Sequence, residues 1–248
     1  MTTARVTELT YYPVKGCAGI PLPRARLTSA GLAHDRAYVI VDEAGEPRWQ
    51  WGDPALALIT PEHDPATGTL TLRAPGHEPL RLHDAEKDGQ EEEAAARWLT
   101  RLLGRPTRLR RDRPDADGDG GTGNMNRLHV VSRASLNHLN RKLHERGAPP
   151  LPMNRFRPNL VIDGWTAPHT EDTTAHLSIA GTELTFTERT IRCAVTMVDQ
   201  ETGRRAGPEP LRTLSTYRRE PEGVAFGAYF TVAREGEVAV GDVVTERG

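Results

Sequence analysis

Residues 189–203 read Arg189-Thr190-Ile191-Arg192-Cys193-Ala194-Val195-Thr196-Met197-Val198-Asp199-Gln200-Glu201-Thr202-Gly203. A lone cysteine lies between two arginines and an alternating apolar segment that ends in an Asp-rich turn. A guanidinium beside a thiol favours the thiolate, the form that attacks electrophiles and binds soft metals, so Cys193 is the candidate reactive centre. An Arg-Cys pair alone is also what a small cysteine packed in a buried strand looks like. The rest of the chain has to decide between the two.

The 248 residues suffice for one large domain or two ordinary ones, and 37% apolar with 27% charged residues is the composition of a globular chain with a real core. No apolar run approaches the roughly 20 residues of a membrane span. The opening residues lack the apolar stretch of a secretion signal, so a cytoplasmic protein without a membrane partner is expected. The 32 basic and 34 acidic residues are interspersed and leave a net charge of −2, which recommends no nucleic acid as partner; any anion site must be local. The only cysteines are Cys17 and Cys193. A reducing compartment and their dissimilar surroundings favour two free thiols over a disulfide.

Towards the N-terminus the next informative run is Phe156-Arg157-Pro158-Asn159 ahead of the apolar residues 160–162. Before it, Leu128-His129-Val130-Val131 predicts a strand. Ser132 then caps a helix with Leu136, Leu139 and Leu143 on one face and Gly147 at its end, while His138 and His144 fall on the polar, solvated side. Residues 105–126 turn from basic to acidic and Gly-rich, as a linker does. Asp115, Asp117, Asp119 and Gly120 imitate a calcium loop, but Asn126 stands where a bidentate glutamate is required. Residues 91–103 predict a helix with Trp98, Leu99, Leu102 and Leu103 on its apolar face, stopped by Gly104. Residues 56–82 predict a β-meander.

Residues 6–13 predict a strand, and Pro13-Val14-Lys15-Gly16-Cys17 turns after it. Gly31-Leu32 and Asp35-Arg36 precede the apolar residues 38–41, with Arg36 opening the strand in a surface ion pair with Asp35. Trp49-Gln50-Trp51-Gly52-Asp53-Pro54 follows. Beyond Cys193, residues 210–219 predict a helix with Leu211, Leu214 and Tyr217 on one face. Residues 224–244 predict strands that close the sheet, with Gly241-Asp242 near the end. A P-loop, a Rossmann glycine signature, CxxC, HExxH and GxSxG are absent, as are internal repeats. The class is mostly β with three modest helices.

Taken together, these motifs resemble the MOSC family (molybdenum cofactor sulfurase C-terminal domain), and within it the amidoxime-reducing proteins. The cysteine segment is in register at Cys193, Thr196, Asp199, Thr202 and Gly203, with Met197 in place of a threonine. Tyr12-Pro13-Val14-Lys15 with Cys17, the pairs Gly31-Leu32, Asp35-Arg36 and Gly241-Asp242, and Phe156-Arg157-Pro158-Asn159 match as well. The resemblance implies an N-terminal β-barrel-like domain over residues 1–114, a linker over 115–126 and a MOSC β-barrel domain over 127–248, with a cofactor between the halves. That cofactor would be molybdenum–molybdopterin. Cys193 would be the metal ligand, catalytic together with Asp199, and Lys15, Gly16, Arg36, Asn126, Arg157, Asn159, Arg192 and Thr196 would hold the pterin. Three further places depart from the family pattern: Gly16 replaces a serine, Trp49-Gln50-Trp51 replaces an Arg-Gln pair, and Met125-Asn126-Arg127 replaces hydroxyl residues.

The activity implied is reduction of N-hydroxylated compounds such as amidoximes, N-hydroxypurines or hydroxylamines. Some relatives carry a plant-type ferredoxin domain, whose four cysteines are absent here. Electrons are therefore expected from a separate partner, a flavin reductase with a cytochrome b5-like or ferredoxin protein. Two other readings stay open, since fold analogy cannot choose among them. One is a sulfur-transfer or cofactor-carrier protein that uses Cys193 without redox chemistry. The other is a biosynthetic enzyme with a repurposed pocket.

Overall fold

The computed structural model describes residues 3–64, 66–83, 89–111 and 127–247. The expected linker, its calcium-like loop and Asn126 lie outside the described residues. The chain opens with β1 (Arg5–Tyr11), β2 (Ile20–Pro21), β3 (Arg24–Thr28), β4 (Gly31–Leu32) and β5 (Tyr38–Val41). The meander follows as β6 (Thr60–Asp64), β7 (Thr69–Ala74) and β8 (His77–Leu82), then α1 (Gly89–Leu103) and β9 (Arg108–Arg111). The later half contains β10 (Leu128–Ser132), α2 (Arg133–Glu145), β11 (Leu160–Asp163), β12 (His176–Ile179) and β13 (Thr182–Arg192). It continues with β14 (Val198–Asp199), β15 (Arg204–Arg205), α3 (Leu211–Leu214), β16 (Arg219–Glu220), β17 (Gly223–Arg234), β18 (Gly236–Ala239) and β19 (Val244–Arg247). The protein is mostly β with few helices, as its sequence predicts.

The main sheet runs β19-β12-β13-β17-β10-β11-β1-β2, with β16 added alongside β17. The pair β10 and β11 is parallel, and α2 makes the crossover between them. Ser132 accepts from the Ser135 backbone N–H, which fixes the start of that helix, and Leu136, Leu139 and Leu143 pack it onto the sheet with Phe156 and Phe226. The strand β1 pairs with β2 only at its end. It pairs with β11, with a register shift between Val6 and Glu8 that brings both Val6 and Leu9 inside. Likewise β3 pairs with β18. One core therefore mixes Val6, Leu9 and Leu27 from the start of the chain with Leu128, Leu160, Phe230 and Val238 from its second half. A second core under the meander joins Val14, Cys17, Tyr38 and Leu56 to Leu72 and Leu99.

Residues 194–197 form a 3-10 turn, because the Thr196 backbone and hydroxyl both donate back to the Cys193 carbonyl. Three local expectations are corrected. The helix after Pro210 ends at Leu214, where Arg218 and the chain beyond it are drawn off towards β17 and Asp172. Residues 224–244 do not close one sheet, since β18 leaves it for β3. His138 is half-buried rather than solvated, edge-on to Tyr217 and His169. Among the described residues no helix is long and apolar enough to cross a membrane.

Candidate functional site

The long strand β13 ends at Arg192, and Cys193 follows in extended backbone with its thiol exposed. The loop carrying it is tied down at three points. Thr196 Oγ1 donates to the Cys193 carbonyl at 3.0 Å. Arg155, only 2% exposed, donates from Nε to the Thr196 carbonyl at 3.0 Å and pairs with Asp199 at 3.5 Å. Asp199 Oδ1 accepts from the Thr202 N–H and hydroxyl and from the Glu201 N–H. The hydrogen bonds from Thr202, first from its backbone, hold this carboxyl below the usual range. Gly203 closes the turn at φ 59°, where an added Cβ would lie 2.7 Å from Leu58 of the first half. Only glycine fits both the backbone conformation and the contact. Cys17, by contrast, is fully buried, and burial pushes its thiol up to about 12.

A basic wall stands behind the loop. Arg157 takes the left-handed conformation after the turn Met153–Phe156, and Arg36 is left-handed ahead of β5. Between them the Tyr12 ring lies 4.2 Å from the Arg157 guanidinium and 4.9 Å from that of Arg36. Burial pushes the Tyr12 hydroxyl up to about 12 in spite of both cations. The ion pair of Arg36 with Asp35 is inside the protein rather than on its surface. Burial opposes the Arg36 charge, Asp35 outweighs it, and the net shift of its pKa is upward. Asn159 is completely buried: it donates to the Thr10 carbonyl and to Asp35, and accepts from the His129 N–H and from Arg36.

Arg192 donates to the Phe156 carbonyl at 2.9 Å and lies 3.4 Å from His129 Nε2, while its buried Nε has no partner. Burial lowers the pKa of both Arg157 and Arg192, and among the described residues neither forms an ion pair. His129 is held neutral, first by burial and then by Arg192 and Arg36.

The two walls are joined by a pair of glutamines. Gln50, fully buried, donates to the Gly16 carbonyl at 2.6 Å and exchanges hydrogen bonds with Gln200. Gln200 in turn accepts from Arg157 at 3.3 Å. Lys15 Nζ lies 4.7 Å from the centre of the Trp49 ring. In front of Cys193 an open cleft of about 530 Å³ is lined by Cys193, Ala194 and Val195 on one side and by Pro47, Arg48, Trp49, Trp51 and Asp53 on the other. A smaller cavity of about 210 Å³ lies against Tyr12, Arg157 and Gln200.

Of the residues singled out in the sequence, Cys193, Arg192, Thr196 and Asp199 share one loop, Arg36, Arg157 and Asn159 gather around Tyr12, and Lys15 with Gly16 meets the Trp49-Gln50 segment. Sequence reasoning passed over Arg155, His129, Gln50 and Gln200. Gln50 and Gln200 lie inside quoted motifs, but nothing in a sequence says that an amide will be buried and bridge the halves. Arg155 and His129 could have been found only by asking why charged and polar side chains stand beside strands that pack into a core.

A model of the MOSC domain matches residues 117–245, and one of the MOSC N-terminal beta barrel domain matches residues 3–106. The chain is similar to mitochondrial amidoxime-reducing component 1 of Homo sapiens, 31% identical over 280 residues that span 96% of this chain and 82% of that protein. It is similar to mitochondrial amidoxime reducing component 2 of Rattus norvegicus, 30% identical with the same two coverages. Molybdenum cofactor sulfurase of Danio rerio is 32% identical over 92% of this chain, which corresponds to 32% of that longer protein. With its cysteine on a loop between two packed β halves and both domain models matched along its length, the chain belongs to the MOSC domain family.

Proposed function

We propose that this chain binds molybdenum–molybdopterin and reduces N-hydroxylated compounds such as amidoximes, N-hydroxypurines and hydroxylamines. The observation that carries the reading is the pair Arg157 and Arg192, one guanidinium buried and the other half-buried, without a carboxylate partner among the described residues, behind the loop that exposes the Cys193 thiol. Buried unpaired cations are strongly destabilising, and a phosphate between them would offset that cost. The residues present fit the group: arginine forks suit its phosphate, and a thiolate suits a soft transition metal. Relatives named as amidoxime-reducing components support the choice of substrate class.

When bound, the cofactor supplies oxygen-atom and two-electron chemistry. The chain's own residues do the rest. Cys193 holds the metal through its sulfur. Lys15, Arg157 and Arg192 attract the phosphate, with Gly16 in the turn beside them. Arg36 stays with Asp35 and presses on Tyr12, and Asn159 locks that pair in place. Thr196 and Asp199 set the cysteine loop, the second through Arg155. In the reaction the substrate N–O bond breaks, two electrons and two protons are taken up, and the oxygen leaves as water. The two cysteines cannot hold an iron–sulfur cluster, and no nucleotide motif is present. Electrons therefore come from a separate cytoplasmic protein, a flavin reductase acting through a cytochrome b5-like or ferredoxin carrier.

The exposure of Cys193 at an open cleft, with the similarity to a molybdenum cofactor sulfurase, favours a second reading as a sulfur-transfer or cofactor-carrier protein. Both readings are tested on protein made in a host that synthesises the cofactor. Stoichiometric molybdenum is expected in the wild type and in Cys193→Ala only traces, with circular dichroism unchanged; Cys17→Ala should keep its metal. Equal molybdenum in wild type and Cys193→Ala would sink the ligand assignment. Passage of labelled sulfur or intact cofactor to an acceptor, without turnover of any N-hydroxylated compound, would select the carrier.

A further inference from the structure

We propose that Trp49 and Trp51 form the surface on which the substrate's ring is held, which makes the substrate of the reductase reading a neutral, flat aromatic N-hydroxylated compound. The two indoles are 48% and 37% exposed, and both line the cleft that contains Cys193. Tryptophan is usually well buried, and two exposed indoles at one cleft form an apolar patch that calls for a ligand. Pro47, Ala194 and Val195 add apolar wall, and the charged groups that also line the cleft are engaged within the protein, Asp53 with Arg48 and Arg105 and Asp42 with the backbone N–H groups of Ala44 and Glu46. At about 530 Å³ the cleft lies within the range of small-molecule sites, roughly 300–1,000 Å³.

The loop that carries the rings is built rigidly. The Trp49 carbonyl accepts from the N–H groups of Gly52 and Asp53, each at 2.9 Å, and the Trp51 carbonyl accepts from Arg205 Nε at 3.0 Å. Between them Gln50 is fully buried and locked to Gly16 and Gln200. The backbone that carries both indoles is thus fixed before any ligand arrives, which lowers the entropy cost of binding one.

The charge around the rings sets which flat molecules fit. Lys15 lies 4.7 Å over Trp49, and the Arg205 guanidinium 4.4 Å over Trp51. A ring that already carries a cation on one face offers less attraction to a second cation, while offset stacking with a neutral ring remains favourable. An arylamidoxime is neutral near pH 7, and the amidine formed from it is a cation. The surface therefore admits substrate and favours release of product.

The test follows tryptophan fluorescence as benzamidoxime, acetamidoxime and benzamidine are titrated into the cofactor-loaded protein. Benzamidoxime should bind more tightly than either of the others. In Trp49→Leu and in Trp51→Leu its advantage over acetamidoxime should shrink by roughly two- to tenfold, and Trp49→Phe should restore most of it. Equal affinity for benzamidoxime and acetamidoxime in the wild type, or an unaltered ratio in both leucine variants with native circular dichroism, would overturn the proposal. Tighter binding of benzamidine than of benzamidoxime would overturn its charge selectivity. The two levels separate cleanly. Selective binding without turnover under any donor leaves the aromatic surface standing and removes the reductase, whereas turnover of both amidoximes with one KM does the reverse.

Discussion

Asn159 and Arg157 stand two positions apart in one motif, and the structure surrounds them differently. Asn159 is completely buried, and its amide joins Thr10, Asp35, His129 and Arg36. Removing it leaves several buried groups unsatisfied, at about 1–3 kcal/mol for each such group. Asn159→Ala is therefore expected to destabilise the cofactor-free protein by at least about 2 kcal/mol, read as a lower urea midpoint with an unchanged m-value. Among the described residues Arg157 has no carboxylate to neutralise it, and burial already lowers its pKa. Replacing it with methionine should leave the cofactor-free protein as stable or more so. The same change should weaken cofactor retention roughly ten- to a hundredfold, the worth of one charge-assisted contact. A destabilised Arg157→Met that retains cofactor normally would reverse the assignment. Both residues were legible as polar members of a motif ahead of a strand. How differently the two would be partnered was not, because that depends on groups brought in from Thr10, Asp35 and Gln200, up to about 150 positions away.

Elements whose ends are encoded locally were readable, and those shaped by distant partners were not. The helix α2 belongs to the first kind: Ser132 caps it, leucines at helical spacing make its face, and Gly147 follows its end. The cap also accepts from or donates to Ser135 Oγ, which in turn donates to the buried Glu171. Ser132→Ala is expected to cost about 1–2 kcal/mol, near the upper part of the usual range for a helix cap, because this one is fully enclosed. Thermal unfolding monitored at the α-helical band would measure it, and a change below about 0.5 kcal/mol would mean that Glu171 alone satisfies the helix end. The segment after Cys193 is of the second kind. Its alternation suits a strand, yet Arg155 pulls on the Thr196 carbonyl and Thr196 bends back onto Cys193, so the chain turns. The short helix α3 is another such case, cut off where Arg218 reaches Asp172. In each, a long-range arginine contact overrides a local preference: Arg155 reaches in from 41 positions away, and Arg218, within the expected helix itself, reaches out to Asp172 46 positions away.

At the scale of the whole molecule, composition indicates where the chain is polar, which differs from where the core divides. A Gly- and Asp-rich stretch between two regular halves reads as a linker, and the family resemblance implies two domains, 1–114 and 127–248. The strand pairing ties them together: β1 lies between β11 and β2, and β3 pairs with β18. Val6, Leu9, Leu27 and Leu32, together with Ala4, Tyr11 and Ala25, share a core with side chains from residues 128–244. Each of the first four contributes about 1.5–3 kcal/mol when buried, so the four together are worth on the order of 10 kcal/mol, comparable with the whole stability of an ordinary domain. A fragment of residues 127–248 would lack them and would expose the edge of β11 that β1 covers. It is expected to show no cooperative thermal transition and to bind hydrophobic dye, and to regain native circular dichroism when mixed with a fragment of residues 1–126. A sharp transition of the isolated fragment, within a few degrees of the intact protein, would show instead that the second half folds by itself and that the β1 pairing is decoration. The same interlock explains why the candidate site cannot be assigned to either half. Cys193, Arg157 and Gln200 come from the later half and Lys15, Arg36, Gln50 and the two tryptophans from the first. Any mutation that loosens β1 or β3 should therefore lower cofactor retention in proportion to the stability lost, without touching a single residue of the cleft.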